Sequence, residues 1–71
     1  MQLQEKAWRV PDIECEGCVR SIRRALGDVD GVMQVEVDLL TKTVRVAFDA
    51  ERVGADELHA RIEQAGFTPQ A

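Results

Sequence analysis

The chain has 71 residues, enough for one domain and too few for a large buried core, so 1–71 is expected to fold as a single unit of modest stability. A net charge of −4 argues against a nucleic-acid partner, whose phosphates need a basic surface. The apolar runs are only a few residues long, which excludes direct membrane insertion.

Met1 to Trp8 show no basic stretch followed by an apolar run, so no secretory signal is read and a cytoplasmic location is the simplest expectation. From Gln4 to Val10, Trp8 and Val10 share one face, which predicts a first strand stopped by Pro11 and Asp12. A loop through Ile13, Glu14 and Cys15 leads into a helix from about Glu16 or Gly17 to Leu26. Val19, Ile22 and Leu26 recur at helical spacing with Ala25 beside them, while Arg20, Arg23 and Arg24 lie off that stripe. Gly27 is the stop signal, and Asp28 to Gly31 form the connection.

Val35 and Val37 alternate with Gln34, Glu36 and Asp38, the pattern of a half-buried strand. Val44, Val46 and Phe48 alternate with Thr43, Arg45 and Ala47 in the same way. Leu40-Thr41-Lys42 between them is short enough for an antiparallel hairpin. A second helix is predicted from about Ala55 to Ala65. Gly54 stands at its N-cap, and Asp56 and Glu57 suit the positive end of its dipole. Leu58, Ile62 and Ala65 make its buried stripe, Gly66 ends it, and Phe67-Thr68 add a short edge strand before Pro69. Each strand has one apolar face and each helix one apolar stripe. The predicted architecture is therefore α+β, a ferredoxin-like βαββαβ sandwich. Both helices lie on one face of a four-stranded antiparallel sheet, and Gln34, Glu36, Asp38, Thr43 and Arg45 suit the solvated face.

Cys15 and Cys18 are too few for a disulfide framework and are spaced as a metal or redox pair. Cys15 falls in the loop and Cys18 in the first helical turn, where the helix dipole and unpaired N–H groups favour thiolates. Gly17 between them is expected to let the backbone bend around a shared ion. A thiolate pair suits Cu(I) first, with Zn(II) or another thiophilic ion as the alternative. A structural zinc site needs four protein ligands, and the chain has two cysteines and one histidine. Two ligands leave an ion open to exchange, which suits transfer better than permanent storage.

Ile13-Glu14-Cys15-Glu16-Gly17-Cys18-Val19 resembles the metal-binding motif of the heavy-metal-associated domain. Gly31-Val32, Val35-Glu36-Val37-Asp38, Val44-Arg45-Val46-Ala47-Phe48-Asp49 and Ile62-Glu63-Gln64-Ala65-Gly66-Phe67 continue the resemblance along nearly the whole chain. That family includes copper metallochaperones, N-terminal domains of metal-exporting P-type ATPases and mercuric-ion binding proteins. The resemblance implies the fold read above, metal ligation by Cys15 and Cys18, and a buried anchor at Ile13. It also implies a metal-transporting P-type ATPase, or its soluble domain, as partner. The expected chain is a monomer that two open sites could bridge through metal, and it is not an enzyme.

Glu14 departs from the small neutral residue usual before the first cysteine in copper-binding members, and with Asp12 and Glu16 makes three acidic residues within five positions. Carboxylates raise the energy of an anionic Cu(I) bis-thiolate and favour a divalent ion. The alternative is therefore Zn(II) or Cd(II) with Glu14 as third ligand, as zinc-exporting members place an acidic residue there. Phe67 occupies the position beside the metal loop where ATPase domains often have phenylalanine, and it reads equally as core. His59 lies about 10 Å along the helix from Gly66 and reads as a surface residue. Trp8 reads as a core or sheet-face aromatic. Arg20, Arg23 and Arg24 form a basic face suited to an acidic partner, against the plainer reading of a solvated helix face. A thiol–disulfide redox module is the competing function from another class.

Overall fold

Apolar alternation and helical stripes resolve into five elements in residues 2–70, which the computed structural model describes. They are β1 (Leu3–Arg9), α1 (Glu16–Gly27), β2 (Val32–Asp38), β3 (Thr43–Asp49) and α2 (Ala55–Gln64). The strands form an antiparallel sheet in the order β1-β3-β2. Trp8 and Val37 both lie opposite Val44, and Val35 lies opposite Val46, so these side chains share one face. Val44, Val46 and Phe48 on that face pack in one cluster with Ile22 and Leu26 from α1 and Leu58 and Ile62 from α2. Both helices therefore cover the same side of the sheet, as their apolar stripes require. Glu5, Gln34, Glu36 and Arg45 are exposed on the other side, where Arg45 pairs with Glu5 at 3.5 Å.

The fourth strand is where the structure departs from expectation. Phe67 and Thr68 are not in a strand, and the only pairing in this segment, among the described residues, is a single antiparallel bridge between Gln70 and Arg9. Gln70 N–H donates to the Arg9 carbonyl at 2.7 Å. The cause is local. Phe67 N–H turns back to the Ile62 carbonyl at 3.3 Å at the end of α2, and Thr68 N–H is taken by the side chain of Asp12. The bridge still falls on the free edge of β1, where the fourth strand of a ferredoxin-like sandwich belongs.

Helix ends also differ in detail. Gly27 lies inside α1, and the cap is Asp28 with right-handed backbone angles, so no left-handed stop is used there. Gly66, by contrast, has φ +98° and does end the α2 turn as a glycine can. Gly54 caps the start of α2 in extended conformation, as expected.

Asp49 closes the sheet at the end away from the cysteines. It is buried, and its Oδ1 accepts from the N–H groups of Gln2 and Glu51 at 3.0 and 3.1 Å. Those two donors, Gln2 first, with Arg52 adding charge, hold its carboxyl below the usual carboxylate range against the opposing effect of burial.

Candidate metal centre

β1 delivers the chain to the site and α1 carries it away. After Arg9, the Val10–Ile13 turn is closed by a bond from Ile13 N–H to the Val10 carbonyl at 3.1 Å, with Pro11 at the second turn position its fixed φ suits. Ile13 is fully buried and anchors the loop in the core, the role expected of it. Cys15 then adopts an extended backbone (φ −153°, ψ 170°) as the N-cap of α1. Its carbonyl accepts from the N–H groups of Cys18 and Val19 at 3.1 and 3.3 Å, while its side chain makes no capping bond and stays available.

The two sulfurs converge. Cys15 Sγ and Cys18 Sγ lie 3.4 Å apart, both free thiols, with Cys15 exposed and Cys18 partly covered against the core. The separation is far beyond a disulfide bond and within hydrogen-bond reach for sulfur. The Cys18 thiol is held below its ordinary value, chiefly by the Glu14 backbone amide and next by the Cys15 side chain. Desolvation and the Glu14 carboxylate oppose the shift. Gly17 does not bend the backbone in the way expected of it. It is an ordinary helical residue, and a Cβ placed there would meet Cys15 Sγ at 3.6 Å, a normal contact.

The neighbouring acidic residues play different parts. Asp12 Oδ2 accepts from Thr68 N–H at 2.9 Å, so this carboxylate ties two loops together. Glu14 and Glu16 are exposed. Among the described residues no three of His, Cys, Asp and Glu gather into a group fit to hold an ion, so Glu14 is not brought in with the sulfurs. His59 sits on α2 beside Glu63 at 3.7 Å. Phe67 is half-buried and packs against the core, and Trp8 lies within it. Arg20, Arg23 and Arg24 are exposed on α1, and among the described residues none of them forms an ion pair. Arg61 of α2 joins Arg20 and Arg24 along a groove between the helices, at a position the sequence reading did not single out.

The family model described as the heavy-metal-associated domain matches residues 8–68. The copper chaperone CopZ of Bacillus subtilis is 32% identical over 65 residues, covering 92% of this chain and 94% of that protein. A probable copper-exporting P-type ATPase of Archaeoglobus fulgidus is 36% identical over 63 residues, covering 89% of this chain but 8% of that much longer protein. A solved structure of a CopZ metallochaperone superposes with a TM-score of 0.91 at 25% identity, covering 94% of this chain and all of the other. No helix of the described residues is long and apolar enough to cross a membrane.

Proposed function

The chain belongs to the heavy-metal-associated domain family, and from that premise we propose that it binds one soft metal ion, Cu(I) first, between the thiolates of Cys15 and Cys18 and passes it to a partner by ligand exchange. The observation that supports this best is the pair of free sulfurs 3.4 Å apart at the start of α1. Sulfurs at that separation can both reach a single ion, since metal–thiolate bonds are about 2.3 Å long even for zinc. Cys15, the N-cap outside the helix, is the member free to adjust on loading.

Softness selects the ion. Two thiolates without a third or fourth ligand suit Cu(I) better than Zn(II), which favours four. The exposed Glu14, not gathered with the sulfurs, gives the zinc alternative no specific support. Relatives named as a copper chaperone and a copper-exporting ATPase point the same way. The redox reading has less behind it, because such a pair belongs beside a parallel βαβ unit and every strand pair among the described residues is antiparallel.

The proposed role is binding and exchange rather than catalysis, with a P-type ATPase or its soluble domain as partner. The exposed Arg20, Arg23 and Arg24 supply a face that steers encounter with an acidic domain. Reversing Arg20 and Arg23 to glutamate should slow transfer and leave metal affinity unchanged.

The test is metal analysis of protein reduced and loaded without oxygen, with copper and zinc both supplied. One copper per chain and little zinc is the expected result. Zinc taken in preference, or no ion retained, would contradict it.

A further inference from the structure

Among the described residues Lys42, in the turn between β2 and β3, is the one non-glycine residue with a left-handed backbone, at φ 57°. That conformation disfavours a side chain relative to glycine, so what the lysine does there needs a reason. Its contacts supply one. The Lys42 carbonyl accepts from Val10 N–H at 2.7 Å, and its ammonium donates to the Pro11 carbonyl at 3.3 Å. One residue thus holds the Val10–Pro11 stretch from both its backbone and its side chain. On the other side the same turn is held through Asp12 and Thr68, and from below by buried Ile13.

The two cysteines depend on this loop unequally. Cys18 is fixed by the hydrogen bonds of α1. Cys15 is tied to α1 through its carbonyl, which accepts from Cys18 and Val19 N–H, while the chain on its other side is placed by the turn that leads to it. We propose that Lys42 is a positioning residue for the metal site: its ammonium straps the Pro11 carbonyl and so fixes the turn that presents Cys15 to Cys18. It acts through the loop backbone and not on the ion. The strap ends before Glu14, so the Cys15 side chain itself stays free to adjust to an ion. The inference rests on the reading of Cys15 and Cys18 as the metal pair.

Three variants test it. Lys42→Gly removes the strap and relieves the left-handed backbone. Lys42→Met keeps the length and the backbone strain but removes the donor. Lys42→Arg keeps a donor of similar reach. Two measurements are made on each, beside a melting curve: Cu(I) affinity in competition with a chromogenic chelator, and the rate of Cys15 alkylation by iodoacetamide in the metal-free protein. The Gly and Met variants should bind Cu(I) about three- to tenfold more weakly, the range expected for losing a charge-assisted hydrogen bond at a half-exposed site. Cys15 should be alkylated faster in both, Cys18 should change less, and Arg should restore both readouts. The Gly variant should melt within a few degrees of the parent, which separates positioning from general stability.

Parent-like affinity and alkylation in the Gly and Met variants would overturn the proposal, as would failure of Arg to restore either readout. Alkylation is read without metal. A parent that retains no copper would therefore defeat the proposed function, while a strap-dependent Cys15 rate would still support the strap.

Discussion

The carboxylate of Asp12 accepts a hydrogen bond at 2.9 Å from the backbone N–H of Thr68, a residue 56 positions further along the chain. That bond does two things at once. It joins the turn before the cysteines to the segment after α2, and it takes the Thr68 N–H away from any strand pairing there. A carboxylate that reads in sequence as one of three acidic neighbours of the metal is, in three dimensions, a structural tie.

Replacing Asp12 by alanine should cost about 1 kcal/mol or less, as for one exposed hydrogen bond, and should speed hydrogen exchange at Thr68. Asn in its place keeps an acceptor and should have a smaller effect. Native-state exchange followed by NMR checks both, and an unchanged Thr68 rate in the alanine variant would show that the bond contributes nothing.

Ile13 anchors the loop from inside the core, with no exposed surface. Ile13→Ala should destabilise the fold by about 2–5 kcal/mol, enough to unfold part of a small domain at ambient temperature. Ile13→Met, close in volume, should cost less than about 1.5 kcal/mol. Urea titrations of the two variants give the comparison directly.

Glu14 is exposed and stands outside the sulfur pair. Its carboxylate opposes the Cys18 thiolate, so Glu14→Gln should strengthen Cu(I) binding by about threefold or less and weaken Zn(II) binding by no more than about the same factor. A large loss of Zn(II) affinity in this variant would restore Glu14 as a ligand.

Asp49 links stability to pH. Its folded carboxyl is depressed by the Gln2 and Glu51 N–H groups, so its stabilisation is complete above the ordinary carboxylate range and is lost as pH falls through the lowered value. Asp49→Asn should lower Tm by about 5 °C at neutral pH, and the gap should close in acid. Melting curves at several pH values check this, and a gap constant with pH would remove the carboxylate from the explanation.

Most of the fold was readable because its signals are periodic. Val44, Val46 and Phe48 alternate, and Ile22, Leu26, Leu58 and Ile62 recur at helical spacing; all seven are buried. The convergence of Cys15 and Cys18 was also readable, since three positions across a helix start bring two side chains together. What escaped has no local signature. The tie from Asp12 to Thr68 joins residues far apart in sequence, and nothing in a turn of Leu39 to Lys42, free of glycine and asparagine, marks Lys42 as left-handed. Val29 and Val53 are buried in the connections between elements, where periodicity stops being informative. The edge strand at Phe67-Thr68 was overread because an apolar residue beside Pro69 looks like a strand end, while the available N–H had a side-chain partner across the molecule.

The most direct test of the account is X-ray absorption at the copper edge of the reduced, Cu(I)-loaded protein, beside the Cys15→Ser and Cys18→Ser variants. The account predicts a first shell of two sulfurs with no light-atom ligand, lost in either variant while circular dichroism still shows the mixed helix and sheet of the parent. A shell containing oxygen or nitrogen, or copper held as tightly after either cysteine is removed, would contradict it.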